Sequence, residues 1–135
     1  MRFSEMIDPA AETAAAVRVL VVEDEFLIRM LVAEHLRDSG FTVIEAMNAD
    51  EAIAILTAGA LVDIIFSDVR MPGAVDGMGL LDFIRRTRPS VPVVMTSGHL
   101  EPRLAFSAGA AAFLSKPCDL ELLEQTFHAA LETAR

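Results

Sequence analysis

The chain has 135 residues, of which 53% are hydrophobic, and this length accommodates one domain with a single core. Its formal net charge of −9 argues against nucleic acid, which is bound through clustered Lys and Arg, and no apolar run approaches the ~20 residues of a membrane span. Cys118 is the only cysteine, so an internal disulfide cannot form, and we predict a cytoplasmic protein.

The first residues differ in composition from the rest of the chain. Residues 1–16 are rich in Ala and in acidic side chains, and they contain Pro9. We predict a leader that is either disordered or a short helix, and it lacks the basic start and apolar stretch of a secretory signal. The folded domain is expected to span residues 17–135.

Beyond the leader, short apolar runs alternate with amphipathic stretches. The predicted strands are 18–22, 41–45, 62–67, 91–96 and 111–115. The predicted helices are 25–38, 48–59, 77–88, 102–108 and a last one that begins after Asp119. Gly40 offers the left-handed residue that ends a helix, and Asn48 with Glu51 forms a capping-box pattern. Asp76 and Asp119 are predicted N-caps.

This alternation predicts the fold class. A strand, a crossover helix and a second strand pair in parallel with a right-handed connection. Five such units predict a doubly wound (βα)5, flavodoxin-like α/β sandwich, with a five-stranded parallel sheet in the order 2-1-3-4-5. Ligands of such folds bind outside the carboxyl ends of the strands, where the strand order reverses.

Reactive side chains follow four of the five predicted strands at that edge. Glu23 and Asp24 follow the first strand, Asp68 the third, Ser97 the fourth and Lys116 the fifth. Carboxylates that converge in this way repel one another unless one is protonated or a cation binds, and an all-oxygen pocket suits Mg²⁺. Taken singly, each residue also has a structural explanation, such as an acidic helix start, a capping carboxylate or a surface lysine. Their joint order favours a phosphate and metal site, with Asp68 as a nucleophile toward phosphorus.

The set Glu23-Asp24, Asp68-x-x-Met71-Pro72, Ser97-Gly98 and Lys116-Pro117 resembles the receiver domain of bacterial two-component response regulators over roughly residues 17–134. The resemblance implies that Asp68 accepts a phosphoryl group from the phosphohistidine of a sensor histidine kinase or phosphotransfer protein. Such a protein is a phosphoacceptor in signalling and not a turnover enzyme.

The resemblance also implies roles for individual residues. Asp24, Asp68 and the backbone carbonyl of Arg70 would ligate Mg²⁺, and Glu23 would act through water. Lys116 would pair with the phosphoryl group, next to a cis bond to Pro117. Ser97 would be the switch hydroxyl and Phe113 the aromatic side chain coupled to it.

Two surfaces are candidates for protein contacts. On the first helix we assign Ile28, Leu31, Val32 and Leu36 to the inward face. Phe26, Leu27 and Met30 then remain on the side nearer the site. By the resemblance, Leu27 and Met30 form a candidate kinase-docking surface together with Cys118. The switch is expected to act on an unidentified downstream protein through the fourth helix, the fifth strand and the fifth helix, with the chain a monomer or a weak dimer.

A stand-alone receiver has several alternatives. The same domain could be the receiver segment of a hybrid histidine kinase or a phosphate sink in a relay. Haloacid dehalogenase-type phosphatases need Asp-x-Asp, but Arg70 occupies the second position. A flavodoxin would bind phosphate in its first loop, where acidic side chains would repel it. A pseudo-receiver that only binds proteins would normally have lost one of the acids or the lysine.

Overall fold

The computed structural model describes residues 17–99 and 102–134, so the predicted leader lies outside the described residues. The strands are β1 (Arg18–Val22), β2 (Thr42–Ala46), β3 (Ile64–Asp68), β4 (Val93–Ser97) and β5 (Ala112–Ser115). The helices are α1 (Phe26–Asp38), α2 (Ala49–Thr57), α3 (Gly77–Thr87), α4 (Pro102–Ser107) and α5 (Leu120–Thr133). All strand pairs are parallel and the sheet order is β2-β1-β3-β4-β5, which confirms the predicted fold class.

Helices cover both faces of the sheet and produce two separate cores. One core packs α2, α3 and α4 against side chains such as Leu20, Ile65 and Met95. The other packs α1 and α5 against the alternate side chains of the same strands, and Phe127 lies at its centre with an edge-to-face contact to Phe66 at 6.0 Å between ring centroids. The central strands are therefore buried on both sides, which explains their nearly continuous apolar sequence.

The strand ends differ slightly from the prediction. β3 and β4 begin two residues later and end one residue later than the apolar runs indicate. Pairing with neighbouring strands fixes these ends, because Asp68 lies opposite Thr96 and Ser97 lies opposite Ser115 in the ladder. Asp68 and Ser97 are consequently the last residues of their strands, and the sheet itself holds their backbones in place.

The predicted helix caps are confirmed. The Asn48 side chain accepts a hydrogen bond from Glu51 N at 2.7 Å, while the Glu51 carboxylate accepts one from the backbone N–H of Met47 at 3.1 Å. Asp76 and Asp119 cap α3 and α5 through the N–H groups three residues further on. Gly40 has a positive φ of 97°, as a left-handed helix stop requires.

The inward face assigned to the first helix was wrong in part. Val32 and Leu36 are buried, but Leu31 is 55% exposed and Ile28 is 37% exposed. The reason is tertiary, because these two side chains border a cavity between α1 and the loop before α5 instead of packing into the core. Among the helices that the structure describes, none combines the length and the hydropathy needed to cross a bilayer.

Candidate functional site

Three carboxylates meet at the carboxyl edge of β1 and β3. Glu23 and Asp24 directly follow β1, and Asp68 ends β3, which pairs with β1 in the sheet. One ligand oxygen from each residue lies within 4.8 Å of the other two. Glu23 and Asp68 are only 3% and 5% exposed, whereas Asp24 is exposed to solvent. The predicted convergence of these acids is therefore a feature of the fold.

Lys116 lies against this cluster from the end of β5. Its Nζ donates to Asp68 Oδ2 at 2.7 Å and lies 3.4 Å from Glu23 Oε1. Burial acts to lower the pKa of Lys116, but the hydrogen bond to Asp68 and the charges of both carboxylates outweigh it and raise that pKa overall. The Lys116–Pro117 peptide bond is cis, as the resemblance implied. A compact, permanent positive charge is thus fixed beside Asp68.

The carboxyl group of Glu23 has a strongly raised pKa. Burial, followed by the hydrogen bond and the charge of neighbouring Asp68, raises its pKa to about 8, while Lys116 acts in the opposite direction. Its Oε2 atom is buried without a hydrogen-bond partner among the described residues. An acid that burial and a neighbouring carboxylate together hold protonated marks a place where a cation would relieve repulsion.

The pKa of Glu23 predicts a pH-dependent stability. Because the folded state holds a proton that the unfolded chain has lost above about pH 4.5, the free energy of unfolding of the metal-free protein should fall as the pH rises to about 8. The expected slope is up to about 1.4 kcal/mol per pH unit, since one proton is involved. Urea titrations in a chelator at a series of pH values measure it.

The control for this prediction is Glu23→Gln, which keeps the shape of the side chain but cannot titrate. The difference in unfolding free energy between wild type and Glu23→Gln should shift with pH across this window and level off above it. Parallel curves for the two proteins would contradict the raised pKa.

The remaining site residues surround the acids. Asp68 Oδ1 accepts a hydrogen bond from the backbone N–H of Arg70 at 3.2 Å. Ser97 is buried, and its Oγ accepts one from the backbone N–H of His99 at 3.0 Å. Phe113 is half-buried against the core that α2, α3 and α4 share, and it pairs in register with Met95, two residues before Ser97. Ser97 and Phe113 therefore lie on the same face of the sheet.

Two residues that position the site were not identified from the sequence. Arg29 donates to the backbone carbonyl of Glu23 at 2.9 Å and forms an ion pair with Glu45 at 3.3 Å, so it ties the loop after β1 to β2. Gly77 lies so close to the backbone of Asp68 and Val69 that any side chain would overlap it. The sequence offered a sign of the role of Gly77, because this Gly directly follows the capping residue Asp76. Nothing in the sequence pointed to Arg29.

The donor set fits a hard divalent cation. The three carboxylates supply only oxygen ligands, and the exposed Asp24 leaves the cluster open to water. Mg²⁺ prefers oxygen ligands, keeps several waters, and pairs with substrate phosphate. Asp68 would then lie between such a cation and the Lys116 ammonium, a position in which a carboxylate can attack phosphorus.

The pattern of the response regulator receiver domain matches residues 19–128, which is most of the chain. The solved receiver domain of NtrX from Brucella abortus is 39% identical, superposes with a TM-score of 0.79, and is covered over 98% of its length by 85% of this chain.

Two longer relatives are similar over most of this chain. The nitrogen assimilation regulatory protein NtrX of Azorhizobium caulinodans is 41% identical over 121 residues, which are 87% of this chain and 26% of that protein. The sensor kinase CckA of Brucella abortus is 38% identical over 130 residues, which are 93% of this chain and 14% of that protein. The chain thus spans about a quarter or less of the length of these two relatives.

Proposed function

The chain belongs to the response regulator receiver domain family, and from this premise we propose that Asp68 is the residue that accepts a phosphoryl group from a phosphohistidine. Receiver domains are signalling modules of two-component phosphorelays. The observation that carries the proposal is the position of Asp68, which ends β3 within the acidic cluster and 2.7 Å from the Lys116 ammonium.

The transfer forms one bond and breaks one. An oxygen of the Asp68 carboxylate attacks phosphorus, the phosphorus–nitrogen bond of the phosphohistidine breaks, and the imidazole nitrogen leaves with the electron pair. Negative charge on the phosphoryl oxygens grows next to Lys116, which moves from Asp68 Oδ2 to the new oxygens. Positioning and charge neutralisation are the main contributions that a protein makes to such a transfer.

Asp24, Asp68 and the backbone carbonyl of Arg70 are the proposed direct ligands of Mg²⁺, and Glu23 is proposed to act through a bound water. The unpartnered Oε2 of Glu23 and the open side at Asp24 support this assignment. When bound, the ion would neutralise the carboxylates and draw phosphoryl oxygens into the site.

A single free cysteine supports the predicted cytoplasmic location.

Removal of the metal tests the proposal. Incubation with acetyl phosphate and Mg²⁺ should add one phosphoryl group to the intact mass, and the adduct should be released by hydroxylamine, which cleaves acyl phosphates. An excess of chelator should slow incorporation by at least about a hundredfold, because the metal stabilises transition-state charge by several kcal/mol. Ca²⁺ serves as the matched control, since it prefers longer and more flexible coordination. Equal labelling with and without divalent ions would refute the metal-dependent site.

Phosphorylation is proposed to be read through Ser97 and Phe113. Ser97 Oγ would turn from the His99 N–H toward the phosphoryl group, and the half-buried Phe113 would follow on the same face of the sheet. The output surface is α4, β5 and α5, where Leu104, Phe106 and Leu122 are exposed apolar side chains that suit a protein partner. The chain itself is proposed to be a monomer or a weak dimer.

Leu27, Met30 and Cys118 are the proposed docking residues for the phosphohistidine donor. Leu27 is 66% exposed, while Met30 and Cys118 are half-buried. The donor is a sensor histidine kinase or a phosphotransfer protein. Similarity to CckA favours a second candidate, in which this domain serves within a hybrid kinase or drains phosphate from a relay. A labelled domain that returns its phosphoryl group to a phosphotransfer protein faster than it hydrolyses would favour that candidate.

A further inference from the structure

The loop between β3 and α3 begins beside Asp68 and contains Arg70, whose backbone carbonyl is a proposed metal ligand. Both ends of this loop are fixed by backbone groups. The Arg70 N–H donates to Asp68 Oδ1 at 3.2 Å, and the Gly77 N–H donates to Val69 O at 2.8 Å. Residues 72–74, in the middle, are exposed, so packing contributes little to their position. A contact from outside the loop can therefore decide which conformation the middle adopts.

Asp50, in the first turn of α2, makes such a contact. Its Oδ2 accepts a hydrogen bond from the backbone N–H of Ala74 at 3.3 Å, although the two residues are 24 positions apart in the chain. Gly73 lies against the same oxygen, since an added Cβ would be 2.6 Å from it. The φ of Gly73 is +118°, a conformation that Gly adopts without strain. The carboxylate of Asp50 thus ties the middle of the loop to α2.

The contact at Ala74 is linked to the Arg70 carbonyl through the backbone. The dihedral angles of residues 70–73 determine both the direction of that carbonyl and the place that the Ala74 N–H reaches. If the N–H were released, these angles could change and turn the carbonyl away from the acidic cluster. A metal ion would then bind only the fraction of molecules with the correct loop, and its apparent affinity would fall by that fraction.

We propose that Asp50 is a positioning residue for the metal site, because its carboxylate holds the loop in the conformation that directs the Arg70 carbonyl toward Mg²⁺. This inference rests on the proposed function, which assigns that carbonyl to the metal. Asp50 is not one of the three acids that converge on the site, so it acts through the loop. An acid in the first turn of a helix also stabilises that helix through its dipole, and the experiment separates this effect.

Amide NMR of the full chain measures both parts of the proposal. In the metal-free protein, Asp50→Ala should speed solvent exchange of the Ala74 amide about fivefold, as expected for the loss of one ordinary hydrogen bond. In Mg²⁺ titrations that follow the amides of Asp24 and Arg70, the same variant should raise the dissociation constant about fivefold. Asp50→Asn keeps an oxygen acceptor on a side chain of the same shape, and its Mg²⁺ affinity should stay within about twofold of wild type.

Glu121→Ala is the matched control, because it removes an exposed first-turn acid from α5 instead of α2. It makes the same change in net charge and the same loss to a helix dipole, and both NMR readouts should remain at their wild-type values. The proposal is overturned if Asp50→Ala binds Mg²⁺ like wild type, if its Ala74 amide exchanges at the wild-type rate, or if Glu121→Ala weakens Mg²⁺ equally. A wild-type protein without a saturable Mg²⁺ shift would refute the proposed metal site, and this inference with it.

Discussion

Asp68→Asn is expected to abolish phosphoryl incorporation from acetyl phosphate while leaving the fold intact. The amide has nearly the same volume as the carboxylate, but it lacks the anionic oxygen that attacks phosphorus and contributes no charge to a metal site. Intact mass spectrometry with Mg²⁺ measures the result. This variant has the largest expected effect on function, because Asp68 is the only proposed nucleophile of the cluster.

Asp63→Asn is the matched control, since Asp63 directly precedes β3 and Asp68 ends it. Asp63 pairs with Arg18 at 3.2 Å at the opposite end of the strand, and this pair lowers the pKa of Asp63. Its replacement should leave phosphoryl incorporation unchanged. Labelling of the Asp68→Asn protein at the wild-type rate would place the acceptor elsewhere, with Asp24 the first alternative to examine.

Gly77→Ala is expected to lower the free energy of unfolding by about 3 kcal/mol, at the upper end of what overpacking costs. A Cβ at this position would overlap the carbonyl oxygen of Asp68 and lie 2.7 Å from the Cα of Val69. Both obstacles are backbone atoms, and the Gly77 N–H also donates to Val69 O at 2.8 Å, so neither side can move easily. Urea denaturation measures the change, and phosphoryl incorporation should slow because Asp68 is displaced.

Gly98→Ala provides the control, because Gly98 is equally close to the site but has space around it. The nearest atom to an added Cβ would be Lys116 Cβ at 3.9 Å, an ordinary van der Waals contact. Its unfolding free energy should stay within about 0.5 kcal/mol of wild type, as for most surface changes. If Gly77→Ala and Gly98→Ala were equally stable, the close approach of α3 to β3 would be disproved.

Much of this protein follows from local patterns in its sequence. Short apolar runs and period-3.6 hydrophobicity indicated the alternation of strands and helices, and the handedness of parallel crossovers then left few topologies to choose from. Residues such as Asn48, Asp76 and Asp119 predicted their caps correctly, because capping involves only atoms a few residues apart. The order of acids, hydroxyl and lysine on the strand ends predicted which side chains would share one edge.

Features that depend on distances across the fold required the tertiary structure. Glu23 and Lys116 are 93 residues apart in the chain, so their 3.4 Å contact and the raised pKa of Glu23 arise only when β1 and β5 are placed in one sheet. The exposure of Leu31, misassigned from helical spacing, depends on the cavity beside the α5 loop. Periodicity says which face of a helix is apolar, but only the packing of distant elements decides whether that face meets a core or a cavity.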